Sequence, residues 1–260
     1  MILSFLLSMS FSYTIWDRME SPMVAGHRGG MHAASYNTLE RFEDAIQEGV
    51  DILEMDLRLS KDGVVVVFHD EDLDHKTNCK GLIAEKSWDY IKTCLFDGTK
   101  HLIPSFQQVV DLVNSRAIIN AEFKTIPVIK PTLQIVKDSN LYAWAYFQVN
   151  AELDKYAEAR KIDTEVGLLY KPRSEKELKW LETTQDPQII VAHMDKAFVT
   201  RERIARVHAL GKFVSVNSWK WDILEERFKS TCKKLYDLGI DIPVTNNTVD
   251  CVKVRNSIKP

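Results

Sequence analysis

From residue 23 onward the chain repeats one pattern, a short apolar strand-forming run followed by an amphipathic helix-forming one. The strand-like runs fall at Met23–His27, Ile52–Leu57, Ala117–Phe123, Ala143–Val149, Glu165–Tyr170, Ile189–His193, Lys212–Val216 and Ile240–Thr245. Between them lie amphipathic stretches at Leu39–Glu48, Phe106–Asn114, Leu153–Arg160, Glu175–Leu181, Arg201–Leu210 and Ile223–Leu238. Thr38 reads as an N-cap for the first of these, and Gly49 and Gly211 as helix stops. Eight buried strands alternating with helices predict an α/β fold of the (β/α)8 TIM-barrel kind. A doubly wound sheet is the competitor, but no Gly-x-Gly-x-x-Gly follows the first strand, which disfavours its dinucleotide-binding form. The alternation breaks once, over about residues 60–103, which reads as a small insertion after the second strand. The expected organisation is an N-terminal segment, 1–22, and one barrel domain, 23–260.

Polar residues gather where these strands end. His27 and Arg28 end the first, Glu54 and Asp56 the second, and Glu122 and Lys124 the third. Barrel enzymes place catalysis at carboxyl-terminal strand ends, and a buried Glu or Lys is costly unless paired or metal-bound. Asp62-Gly63, flanked by Asp56–Leu59 and Val64–Phe68, is a hairpin signal. A two-residue turn there would set His69 directly opposite Asp56, with Glu54 on the same face. Val64–Phe68 is therefore expected as an antiparallel return strand at the barrel mouth and not as a barrel stave.

Glu54, Asp56 and Glu122 offer hard oxygen ligands only, which favours one divalent cation, Mg²⁺ or Ca²⁺, with Mn²⁺ a further candidate. Arg28 and Lys124 would clamp an anionic tetrahedral group such as phosphate. His27 and His69 would supply a proton acceptor and a donor. Together these parts suggest metal-assisted phosphodiester cleavage. The competing reading of the carboxylates is a structural ion-pair network with Arg28, Arg58 and Lys124. Asp70 would orient an imidazole or cap its loop. His193 and Asn217 end later strands and would line the pocket or serve structure.

Composition narrows the partners. With 34 basic and 37 acidic residues and a net charge of −3, nothing suggests a nucleic-acid surface. No apolar run reaches the ~20 residues needed to span a bilayer. Residues 1–16 carry no charged side chain, Ile2–Leu7 is apolar, and Ser10 and Ser12 are small, as in an export signal, yet the basic n-region is missing. Two localisations stay open: secreted or periplasmic if this segment is a signal peptide, cytoplasmic if it packs on the domain. Cys79, Cys94, Cys232 and Cys251 follow no zinc-ligand spacing and are expected as buried free thiols, with disulfides the alternative in an exported chain.

His27-Arg28-Gly29-Gly30, Asn37-Thr38-Leu39, Glu54-Met55-Asp56, Lys61-Asp62-Gly63, His69-Asp70, Ile103-Pro104 and Glu122-Phe123-Lys124 occur in the order and spacing of the glycerophosphodiester phosphodiesterase family. Leu238–Asp241 and Thr245-Asn246 resemble its closing Gly-x-Asp and Thr-Asp segments, so the resemblance covers roughly residues 23–250. It implies a (β/α)8 barrel with a small insertion after the second strand. It also implies hydrolysis of small-molecule glycerophosphodiesters, such as glycerophosphocholine or glycerophosphoethanolamine, to glycerol 3-phosphate and an alcohol. His27 and His69 would be the acid/base pair, Glu54, Asp56 and Glu122 the metal ligands, and Arg28 and Lys124 the phosphate contacts.

The chain departs from the family in three places. Ser35-Tyr36-Asn37-Thr38 stands for Pro-Glu-Asn-Thr, and His75-Lys76-Thr77 for Arg-Thr-Thr. Val214-Ser215-Val216-Asn217 stands for Trp-Thr-Val-Asn, which removes an aromatic wall for which Trp219 or Trp221 would substitute. These changes are expected to affect substrate choice more than competence. Trp88, Phe147 and Trp219 are candidates for cation–π contact with a choline-like headgroup. One alternative is a phospholipase D-like enzyme acting on lysophospholipids or sphingomyelin, which calls for an exposed apolar rim such as Leu82-Ile83 and Leu95-Phe96. Another is a non-catalytic barrel binding phosphate-bearing ligands, with Tyr36 marking the loss.

Overall fold

The computed structural model describes residues 14–30, 36–218 and 228–259. Its strands are β1 (Ala25–Gly26), β2 (Ile52–Leu59), β3 (Val65–Val67), β4 (Ile118–Phe123), β5 (Ala145–Asn150), β6 (Gly167–Tyr170), β7 (Ile189–His193), β8 (Phe213–Asn217) and β9 (Ile242–Thr245). Helices α1 (Leu39–Glu48), α2 (Trp88–Ile91), α3 (Phe106–Val113), α4 (Ile129–Asp138), α5 (Leu153–Ile162), α6 (Glu175–Thr184), α7 (Arg201–His208), α8 (Phe228–Leu238) and α9 (Thr248–Ile258) connect or follow them. Strand β1 pairs in parallel with both β2 and β9, which closes the sheet on itself. Eight parallel staves with helices outside make the (β/α)8 barrel, and β3 adds to β2 antiparallel, outside the stave count.

Two elements have no counterpart in the strand-and-helix alternation read from sequence, α4 and α9. Pro127 and Pro131 make the stretch before α4 look broken. Yet Pro127 sits in a 3-10 turn leading into α4 and Pro131 in its first helical turn, where a missing N–H costs nothing.

The core has two layers. One fills the space between staves and helices and includes Phe42, Leu53, Phe106, Phe123, Phe147 and Leu178. The other lies inside the barrel toward the strand starts, where Ile52, Ile118, Tyr146, Ile190 and Ile242 meet Ile15, Met19 and Met23. A 3-10 turn at Ile15–Arg18 thus plugs the end of the barrel opposite the strand carboxyl ends. The apolar run at 2–7 and the serines at 10 and 12 lie outside the described residues, as do Trp219, Trp221 and positions 223–227.

The insertion has a satellite core of its own, with Val66, Phe68, Leu73, Ile83, Ile91, Phe96 and Ile103. Of the candidate rim residues Ile83 and Phe96 are buried there, Leu95 is half-buried and Leu82 is exposed. Cys79 and Cys94 join in a disulfide within this core, and Cys232 of α8 bonds Cys251 of α9. The free-thiol expectation is therefore wrong. Each pair is 15 or 19 residues apart and meets only because its two segments pack together.

The hairpin register also differs from expectation. Leu57 faces Val67, Arg58 faces Val66 and Leu59 faces Val65, so Asp56 lies opposite Phe68 and not His69. The turn has three residues, 61–63, closed by Gly63 N–H to Ser60 O at 3.1 Å and Ser60 N–H to Val64 O at 2.9 Å. Gly63, at φ +84°, takes the left-handed position that ends such a loop. Asp-Gly marked the turn correctly; the extra loop residue moves the register by one.

Candidate active site

A polar cavity of about 390 Å³ opens at the carboxyl ends of the staves. Its wall includes His27, Arg28, Glu54, Asp56, His69 and Glu122, so six of the seven residues singled out in the sequence line it. The seventh, Lys124, binds two of its carboxylates. The ammonium lies 2.8 Å from both Asp56 Oδ1 and Glu122 Oε2. Arg28 Nε forms an ion pair with Asp56 Oδ2 at 3.1 Å, and that oxygen accepts a hydrogen bond from Asn37 Nδ2 at 2.8 Å. Among the described residues Glu54 makes no ion pair of this kind. It accepts from the Arg28 backbone N–H at 3.0 Å and from Gln148 Nε2 at 3.2 Å. Asn150 Nδ2 donates to Glu122 Oε1 at 3.1 Å.

Local backbone geometry aims these groups. β2 and β4 pair Asp56 with Glu122 and Glu54 with Asn120, putting the acidic side chains side by side. After β1 the chain makes a tight turn through Arg28, at φ +52°, and Gly30, at φ +90°. A Cβ at Gly30 would lie 2.7 Å from Thr248 Cγ2, which explains why a second glycine follows His-Arg.

Electrostatics separate the carboxylates. Burial, and then the neighbouring Asp56, push Glu54 well above the ordinary carboxylate range. Burial acts the same way on Asp56, but Lys124 and Arg28 outweigh it and hold that carboxyl low. Burial would lower Lys124, and Asp56 and Glu122 together raise it instead. The ion-pair network anticipated as the bland alternative is present through Arg28 and Lys124. Arg58 is elsewhere, donating from Nε to the His69 carbonyl at 2.9 Å.

The histidines have different partners. His27 Nδ1 meets Asn246 Oδ1 at 2.7 Å, while His69 Nδ1 meets Asp70 Oδ1 at 2.5 Å. Burial and the adjacent Arg28 lower His27 to about 4. Asp70 therefore orients an imidazole. His193 Nδ1 contacts Ser215 Oγ at 2.9 Å, and both His193 and Asn217 line the cavity.

Several residues of the site were missed in the sequence: Asn120, Gln148, Asn150, Lys171, Arg173 and Asn246. Asn150, Lys171 and Asn246 end a stave or follow one directly, the same signal that exposed His27, Glu54 and Glu122. Tyr36, the family departure, lies over Arg28, with the guanidinium carbon 5.4 Å from the ring centre. Phe147 is fully buried and stacks on Phe123, and Trp88 lies at a separate groove against the insertion, so neither faces the cavity.

The profile of the Glycerophosphoryl diester phosphodiesterase family matches residues 27–248. A glycerophosphodiester phosphodiesterase of Bacillus altitudinis is 26% identical over 258 residues, 91% of this chain and 99% of that protein. The crystal structure of a glycerophosphoryl diester phosphodiesterase from Parabacteroides distasonis superimposes with a TM-score of 0.83 at 20% identity, covering 95% of this chain and 93% of the other. An Oleispira antarctica phosphodiesterase, solved with the product sn-glycerol-3-phosphate, gives a TM-score of 0.76 at 21% identity, covering 91% and 97%. The matched span runs from His27 to beyond Asn246 and contains the whole cavity cluster, and the chain belongs to the glycerophosphoryl diester phosphodiesterase family.

Proposed function

We propose that the protein hydrolyses glycerophosphodiesters to glycerol 3-phosphate and an alcohol in this cavity, with one divalent cation and with His27 and His69 as base and acid. Family membership supports the reaction class, and the product bound to the Oleispira antarctica protein supports the glycerol 3-phosphate assignment. The charge inventory carries the metal. Glu54, Asp56 and Glu122 each place an oxygen within 4.8 Å of the others, against two cationic side chains, Arg28 and Lys124. That spread suits one ion with oxygen ligands at about 2.0–2.6 Å. Asn120 Oδ1, buried in the same wall, has no hydrogen-bond partner among the described residues. Mg²⁺ or Ca²⁺, with Mn²⁺ a further candidate, would be held by the three carboxylates and would supply Lewis-acid stabilisation of charge on the phosphoryl oxygens.

The chain's own residues do the rest. Asn246 accepts from His27 Nδ1–H and leaves Nε2 as the basic nitrogen. His27, neutral because burial disfavours its charged form, takes the proton of an attacking water, or of glycerol's own free hydroxyl, in which case a water then opens the cyclic phosphate to glycerol 3-phosphate as the two histidines exchange roles. The new P–O bond forms as the bond to the departing alcohol breaks, and His69 returns a proton to that alkoxide. Asp70 is placed to balance positive charge on the His69 ring while it carries the proton. Arg28 and Lys124 steady the phosphate.

Release of choline from glycerophosphocholine and from lysophosphatidylcholine, with glycerol 3-phosphate identified as the second product of the former, measured after chelation and after adding back Mg²⁺, Ca²⁺ or Mn²⁺, tests the proposal. Turnover of the water-soluble diester, abolished by chelator and restored by cation, is expected. Preference for the lipid would assign the phospholipase D-like alternative, and chelator-resistant turnover would remove the metal. Loss of activity in neither His27→Ala nor His69→Ala would remove the acid/base pair.

A further inference from the structure

Beyond the groups used above, the cavity holds two more cations. Lys171 follows β6 directly, and Arg173 sits two residues later, just before α6; both line the cavity. In the closed stave order β1, β2, β4, β5, β6, β7, β8, β9, strand β6 stands diametrically opposite β1. Lys171 and Arg173 therefore face His27 and Arg28 across the mouth. The Lys171 ammonium is 3.2 Å from Asp195 Oδ1. Arg173 donates its backbone N–H to Glu177 Oε2 at 2.6 Å, but its guanidinium has no ion pair among the described residues. No aromatic side chain lines the cavity among the described residues, and Val244 is the one apolar contributor.

From this we infer that Arg173, supported by Lys171, forms a second anion subsite that selects glycerophosphodiesters whose alcohol moiety carries its own carboxylate or phosphate group. The inference rests on the reaction proposed above. In the proposed reaction Arg28 and Lys124 serve the diester phosphate, and Gln148, Asn150 and Asn217, which line the cavity, offer neutral partners for the hydroxyls of glycerol. An exposed guanidinium across the mouth matches neither, but its planar fork suits a carboxylate or phosphate. A quaternary ammonium would meet a like charge there in place of an aromatic face.

Initial rates with glycerophosphocholine, glycerophosphoglycerol, glycerophosphoserine and glycerophosphoinositol 4-phosphate test this with the full chain and metal. The expected order puts the last two above glycerophosphoglycerol and glycerophosphocholine lowest, and the better of the two shows whether phosphate or carboxylate is the preferred group. Arg173→Ala should cut the ratio of kcat/KM for anionic over neutral substrate about three- to tenfold, the range for an ion pair open to solvent up to one well desolvated. Arg173→Glu should place glycerophosphocholine first. Because each ratio is taken within one protein, a partly unfolded variant does not mimic the effect. Hydrolysis of all four with a ratio that neither variant changes would overturn the subsite alone. Hydrolysis of none would overturn the reaction assignment and the subsite with it.

Discussion

The backbone N–H of Phe68 donates to the carbonyl of Asp56 at 2.9 Å, so the hairpin ladder ends on this pair and His69 lies one residue past it. Inside a regular strand a one-residue slip would send the side chain to the wrong face. Beyond the ladder that constraint is gone, and Arg58 takes over by binding the His69 carbonyl at 2.9 Å.

If His69 is the acid proposed above, Arg58 should act as its positioning residue. Arg58→Met should lower kcat about tenfold or more with a smaller change in KM, since small misplacements of a catalytic group are expensive. In a His69→Ala background the same substitution should add little, because the group it positions is gone. Equal losses in both backgrounds, from steady-state kinetics, would mean that Arg58 acts only on overall structure.

The depressed His27 value sets the acid side of the pH profile. Burial, then Arg28, lower it to about 4, so the neutral base persists well below the ordinary 6.5. The acid limb of kcat/KM due to His27 should fall near pH 4. Asn246→Asp, which puts a carboxylate on Nδ1, should move that limb upward. Stability follows the same shift with a definite sign. The unfolded chain protonates this ring first as pH falls from about 6.5 toward 4, so His27 makes stability rise with pH through that window and costs stability below it. His27→Gln should flatten the slope in urea titrations between pH 7 and 5; an unchanged slope would contradict the buried neutral ring.

Cation binding should release a proton. Burial and the adjacent Asp56 keep Glu54 protonated to higher pH than an ordinary carboxyl, and a ligand carboxylate must be ionised. Calorimetric titration with Mg²⁺ or Ca²⁺ in two buffers of different ionisation enthalpy should show buffer-dependent heats, and affinity should strengthen as pH rises through the raised Glu54 value. Glu54→Gln should weaken binding about tenfold or more, as expected for loss of one anionic ligand. Identical heats in both buffers would place the ion elsewhere.

Reducing the Cys79–Cys94 bridge should loosen the insertion that carries His69 to the mouth. The bridge closes a loop of 15 residues, and Cys79→Ala/Cys94→Ala should cost about 2–3 kcal/mol of unfolding free energy on chain-entropy grounds. Denaturant unfolding with and without reductant measures this. A variant as stable as the oxidised protein would show that the satellite core holds without the bridge.

Strand positions and the residues at strand ends were legible because they depend on local periodicity. Runs such as Ile52–Leu57 and Ile189–His193 bury both faces wherever they sit, and Glu54, Asp56 and Glu122 stand out as charges in apolar surroundings. Local chemistry was less decisive where one signal serves two geometries. Asp62-Gly63 suits two- and three-residue loops alike, and Pro127 and Pro131 suit a helix start as well as a break. Which of these groups meet had no local signal. Asn246 reaches His27 across 219 residues only because β9 closes on β1. Cys232 finds Cys251 through the packing of α8 on α9, and Lys171 and Arg173 face Arg28 only once the barrel is complete. Sequence determined the staves and the candidate catalytic types they carry, since hydrophobic period and turn chemistry act over a few residues. Tertiary structure decided which groups meet, since barrel closure sets distances that no short stretch of chain encodes.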